Sequence, residues 1–176
     1  MAAAVEAGDI DAFCVGEPWG SIAVEENVGE LILPGAAICA AAPEKVLGAR
    51  RDWIDTHEAE ARALVRAIWK AGKWLAQPDN LALASEVLAR SDFLDLPERV
   101  LDRALRGELY PRTGAFAQSV PGFLQFHGAA ATYPWRAQAA WIASRMAARH
   151  GLDSSPATSR ARASYRTDNY TGALAR

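Results

Sequence analysis

A chain of 176 residues suffices for one sizeable domain or for a large piece of a two-domain protein. With 51% hydrophobic and 23% charged residues, the composition excludes a disordered chain. The formal net charge of −2 argues against a nucleic-acid surface, which would show a basic excess. No run approaches the ~18 apolar residues that a membrane span needs.

The opening residues, MAAAVEAG, lack the basic and apolar regions of an export signal and read as the last turns of a helix closed by Gly8. Residues 9–15 (DIDAFCV) alternate and then turn wholly apolar, which predicts a buried strand. Gly16, Glu17, Pro18 and Trp19 follow as a turn, with Pro18 near the start of a short helix over 21–27. Residues 30–33 read as a second strand, stopped by Pro34 and Gly35. The stretch 45–53 (KVLGARRDW) has strand character, weakened by its two arginines.

The strongest helix spans 56–76. Asp55 or Thr56 caps it, Glu58 and Glu60 lie at the positive end of its dipole, and Ala61, Leu64, Ile68, Ala71 and Leu75 share one face. Further helices cover 80–90 and 97–106, the second capped by Asp95 with Glu98 three residues on. Residues 107–133 show no clear period. A helix over 135–150 carries Trp135, Ala139, Ile142 and Met146 on one stripe and ends at Gly151. Residues 153–160 read as a Ser-rich linker ahead of a last short helix from about Ala161. Few strands and many helices make an unbalanced domain, because a parallel sheet needs crossover partners. The missing strands are therefore expected upstream, in a larger protein.

Signals for catalysis are sparse. His57, His127 and His150 show no metal-ligand spacing with one another or with the cysteines. His57 reads as a surface residue, and His150 as a partner for a helix C-terminus. Nucleophile-elbow, phosphate-loop and dinucleotide motifs are absent from the sequence. Asp9 and Asp11 share one face of the predicted strand, as a carboxylate pair or as solvated groups at its entrance. Cys14 and Cys39 sit among apolar residues and read as buried, unreactive thiols, with nothing to support a disulfide between them.

Two segments carry more. In CVGEPW, residues 14–19, a strand ending in Gly16 leaves amides unshielded beside a helix start. That is an anion cradle at the end of a strand, where open α/β sheets bind ligands, although a tight strand-to-helix turn packed by Trp19 explains the same residues. In PEKVLG, residues 43–48, Lys45 either presents one ammonium to a buried anion or stands solvated beside Glu44.

At these segments the sequence resembles the nitrate- and bicarbonate-binding proteins of bacterial ABC transporters, within the type II periplasmic-binding fold. The matching stretches are GDIDAFCVGEPW (8–19), APEKVLG (42–48), KAGKWLAQPDN (70–80), FHGAAATYPWRAQAAWI (126–142) and YRTDNY (165–170), in family order across almost the whole chain. CVGEPW followed some 25 residues later by PEKVLG is the specific combination. The resemblance implies an α/β chain forming the helix-rich C-terminal portion of that fold, with a few strands. Residues 1–15 would end one lobe and cross over, 16–152 would form most of the second lobe, and 153–176 a linker and helix. It implies that Val15 and Gly16 border the anion, with Glu17 and Trp19 in the same turn, and that Lys45 supplies the positive charge. Bicarbonate-binding relatives lack that lysine and recruit a metal ion, so Lys45 favours nitrate, or nitrite, without metal or cofactor. The family's remaining ligand groups lie upstream. Cys39 stands where the family pattern calls for an aromatic, which leaves a looser wall near Lys45.

The implied partners are the membrane subunits of a transporter, in the periplasm. Residues 126–142 look at least as much like the NasS-like cytoplasmic sensors, which bind nitrate or nitrite and control an antiterminator protein. A sulfonate or other oxyanion receptor is a further alternative. The fold is also shared with thiamine-pyrimidine synthases, but those carry a cysteine-rich motif and the two cysteines here are isolated, so binding rather than catalysis is expected.

Overall fold

Segments with apolar residues at helical spacing become helices, and among the described residues strand pairing is confined to one short ladder. The computed structural model describes residues 1–39, 42–128 and 131–175. In chain order the helices are α1 (Ala2–Glu6), α2 (Trp19–Glu25), α3 (Gly35–Ile38), α4 (Arg51–Thr56), α5 (Glu58–Leu75), α6 (Leu81–Ala89), α7 (Glu98–Arg106), α8 (Arg136–Arg149), α9 (Ser154–Ser164) and α10 (Thr167–Leu174). A 3-10 turn, Pro78–Asn80, leads into α6. Strands β1 (Glu108–Leu109) and β2 (Gln118–Ser119) pair antiparallel, Glu108 opposite Ser119 and Leu109 opposite Gln118.

The chain divides into two units, Met1–Glu44 with Leu75–Gln125 and Lys45–Trp74 with Phe126–Arg176. In the first, α7 supplies the deepest core: Val100, Leu101 and Ala104 are buried, as are Ile22, Ala23 and Val24 of α2, Ala84 of α6 and Leu109 of β1. Glu25 of α2 pairs with Arg99 and Arg103 of α7, and Arg103 also lies 4.5 Å above the Tyr110 ring. The Arg99 guanidinium, then that of Arg103, hold the Glu25 carboxyl below its ordinary value. Helix α7 stops at Gly107, whose φ of +69° is left-handed and whose missing side chain admits Val120 O, 2.8 Å from where a Cβ would stand.

In the second unit α8 packs on α9, and α8 buries Ala139, Ala140 and Ala147. Thr132 Oγ1 and the Tyr170 hydroxyl lie 2.8 Å apart, and the Tyr133 ring meets both Trp135 and Tyr170 edge-on. Arg166 spans Asp168 and Asp55, tying α10 to α4.

Several sequence expectations need correction. Residues 9–15 and 30–33 form no strand, because a strand needs a neighbour to bond and no described segment runs beside them as a ladder. Leu31 N donates to Pro111 O at 2.7 Å, yet Ile32 is 88% exposed. The strand expected over 45–53 is irregular chain running into α4, with Asp52 in the first helical turn and paired to Arg50. Thr56 does not cap α5: its hydroxyl donates to Asp52 O at 2.8 Å and so closes the end of α4. Asp95 does not cap α7, since it adopts a positive φ of +53° and the cap position falls to Pro97. The apolar stripe of α5 is partly open, with Leu64 and Ile68 near half-exposed and burial at Ala61 and Gly72 instead. On α8, Met146 is 58% exposed while the alanines are buried. Cys14 and Cys39 are free and exposed, so apolar neighbours in sequence did not translate into cover in space.

The Ser-rich stretch read as a linker is α9. Asp153 Oδ1 accepts from Ser155 N at 2.9 Å, satisfying one of the open amides at the helix start. Replacing Asp153 with alanine is expected to lower stability by about 1 kcal/mol, read by urea denaturation. An unchanged midpoint would remove the capping role.

The net charge of −2 conceals a segregation. The first unit holds 5 Lys and Arg against 15 Asp and Glu, a balance of −10, and the second holds 14 against 6, a balance of +8. Residues 1–44 contain no Lys or Arg at all. A whole-chain sum therefore describes neither unit, and the basic second unit weakens the exclusion drawn from it.

Candidate functional site

The turn Val15–Gly16–Glu17–Pro18–Trp19 enters α2 and is held from behind by buried residues. Trp19 N donates to Gly16 O at 3.3 Å and Ile22 N to Pro18 O at 2.9 Å, so the turn winds directly into the helix. Pro18 follows a cis peptide bond and is buried, as is Gly20. Thr113 Oγ1 donates to Val24 O at 2.9 Å, and the Glu25 pairs fix the far end of α2. The front of the turn is open, with Val15 37% and Trp19 47% exposed.

Glu17 is the half-buried member. Its Oε2 accepts from Ser21 N at 3.3 Å, and its Oε1 lies 3.1 Å from where a Cβ on Gly20 would stand. Leu31 Cδ2 is still nearer that point, at 2.9 Å, so Gly20 admits both side chains. Burial raises the Glu17 carboxyl above its ordinary value. The Ser21 hydroxyl and amide pull it back only in part, and the Glu44 carboxylate pushes it up further. Gly20 and Ser21 had not been singled out in the sequence, although Glu-Pro-x-Gly-Ser placed a small residue on the helix face that an acidic side chain folds over.

Lys45 lies in exposed irregular chain and begins the second unit. Beginning four residues on, a shallow cleft is lined by Ala49, Arg50, Asp52, Trp53, Thr56 and His57. Its polar groups are occupied by one another: Arg50 pairs with Asp52, and His57 stacks on Trp53 with Nδ1 2.9 Å from Thr56 Oγ1. His150 ends α8 and is exposed, while His127 meets Trp69 edge-on. Asp9 and Asp11 are exposed. Among the described residues no group of three or more His, Cys, Asp or Glu could hold a metal ion, and no helix is long and apolar enough to cross a membrane. The chemistry that remains at the turn is that of amides and a carboxyl beside a helix start, which suits recognition of a small polar group.

The chain superimposes on the crystal structure of the periplasmic nitrate-binding protein NrtA from Synechocystis PCC 6803 with a TM-score of 0.91 and 25% identity, over 98% of this chain and 46% of that one. It is thus part of a type II periplasmic-binding-protein fold, in its helix-rich portion. The model of the NMT1-like family matches residues 1–89, and the chain belongs to that family. Similar sequences include the nitrate import ATP-binding protein NrtC of Synechocystis, 35% identical over 84% of this chain and 22% of its own length. The nitrate/nitrite binding protein NrtA of the same organism is 33% identical over 59% of this chain and 24% of its own. The bicarbonate-binding protein CmpA of Synechococcus elongatus is 26% identical over 77% and 31%. The chain thus spans about half of the matched structure and between a fifth and a third of these relatives.

Proposed function

We propose that the chain supplies part of a nitrate-binding site in the solute-binding component of an ABC-type nitrate transport system, in the periplasm. The observation that carries this reading is the superposition over 98% of the chain on a periplasmic nitrate-binding protein. In this reading the Val15 and Gly16 amides donate to the anion, the Lys45 ammonium neutralises it, and Glu17 and Trp19 shape the turn. Nitrate is a planar, weakly basic monoanion, and each charge-assisted hydrogen bond to it contributes about 1.5–3 kcal/mol. Lysine at position 45 favours nitrate over bicarbonate, because a fixed cation does what a recruited metal would otherwise do. In this reading the groups that complete the shell are supplied from outside this chain. Binding without chemical turnover is the activity this implies.

The match to an ATP-binding import protein favours a second arrangement, in which the same anion-binding unit works beside a transporter's ATP-hydrolysing subunit. The ligand is the same in both. The test joins this chain to the complementary half of Synechocystis NrtA and measures anion binding by calorimetry. Nitrate is expected to bind more tightly than bicarbonate, whether or not a divalent metal ion is added. Bicarbonate as the tighter ligand would overturn the assignment.

A further inference from the structure

The Val15–Gly16 turn is followed at once by a carboxyl, an awkward neighbour for an anion. That carboxyl folds back over the helix it precedes. One oxygen accepts from Ser21 N in the first turn of α2 and the other lies over the bare face of Gly20, with Leu31 against the same face. Glu44 is the charged group that acts on it, and it adds repulsion. A glutamate held there stiffens the turn, but its charge opposes the ligand proposed for the adjacent amides. One added proton reconciles the two roles, because a neutral carboxyl keeps an oxygen to accept from Ser21 and no longer repels an oxyanion.

We propose that Glu17 is a positioning residue of the anion-binding turn whose carboxyl takes up one proton when an oxyanion occupies the Val15–Gly16 amides. The inference rests on the anion-binding reading given above. Burial, with Glu44 adding to it, raises the Glu17 carboxyl above its ordinary value in the free chain, which is the direction that favours uptake. The sign follows from linkage. A bound state that holds an extra proton is favoured as pH falls, so affinity rises by at most about tenfold per pH unit while Glu17 titrates, and levels off once it is neutral in both states.

The test uses the chain joined to the complementary half of Synechocystis NrtA, isotope-labelled, with the Gly16 amide followed by NMR as sodium nitrate is added at constant ionic strength between pH 5 and 8. Log Kd is expected to rise with pH in the wild type, with a slope approaching one. In Glu17→Gln the profile should be flat, with tighter binding than wild type at pH 8. In Glu44→Gln the slope should persist but move to lower pH. Should Glu17→Gln fail to fold, the Glu17 Cδ resonance of the wild type reads the same quantity, and its midpoint is expected to move up when nitrate is added. Nitrate binding with an unmoved Glu17 midpoint, or a slope that survives in Glu17→Gln, overturns this inference alone. No nitrate response at any pH, with the joined protein folded, removes the anion-binding reading and this inference together.

Discussion

Replacing Lys45 with alanine is expected to weaken nitrate binding at least tenfold, measured by calorimetry on the chain joined to the complementary NrtA half. The expectation follows from what a lone ammonium contributes to a small anion. A hydrogen bond to a charged group is worth about 1.5–3 kcal/mol, which corresponds to roughly ten- to a hundredfold in affinity. Amides alone supply partial charge, so the anion would pay more of its desolvation without a compensating cation. Lys45→Arg should recover only part of the loss, because a planar fork of donors does not substitute for a compact point charge. Unchanged affinity in Lys45→Ala would take the cation out of the account.

Gly72→Ala is expected to lower the stability of the chain by about 1–3 kcal/mol even though alanine is the better helix former. Gly72 is buried on α5, and a Cβ there would stand 2.3 Å from Phe126 O. The obstructing atom belongs to the backbone, so it cannot step aside as a flexible side-chain end would. Helix propensity returns about 1 kcal/mol at most, which is less than the strain of separating two packed segments. The unfolding midpoint, followed by circular dichroism, should fall by several degrees for a chain of this size. A midpoint at or above wild type would mean that residue 126 does not approach α5 in this way. Gly172→Ala makes a useful contrast: there the nearest atoms are the guanidinium end of Arg62, at 3.0 Å, and a mobile group can yield.

Helices proved legible where their signals were local. The periodic segments of α5, α6, α7 and α8 and the glycine stops at Gly8 and Gly151 were visible because spacing and left-handed closure act within a few residues. Strands were not, since residues 9–15 and 30–33 carry the right residue types but a ladder is made by a neighbour that the segment itself does not encode. α9 was missed for a different reason: its serines suggested a linker, while Asp153 two residues ahead of the amide it accepts from was a helix-start signal in plain sight. Burial was the least legible property. Cys14, Cys39 and Met146 are apolar by type and context, but exposure is decided by which elements cover them.

The turn at CVGEPW was legible as a candidate because glycine and proline constrain the backbone directly, and the structure shows it wound into α2 with its front open. The electrostatic surroundings of the Glu17 carboxyl were not legible, because they depend on Leu31 and Glu44 coming near it from later in the chain. Charge was legible only as a sum. The opposite balances of the two units appear once the chain's division is known.

A crystal structure of the chain joined to the complementary NrtA half, grown in nitrate, addresses the central claim most directly. Nitrate oxygens are expected at hydrogen-bond distance, about 2.7–3.2 Å, from the Val15 or Gly16 amide and from Lys45 Nζ at once. Nitrate bound elsewhere, with the Lys45 side chain directed into solvent, would contradict it.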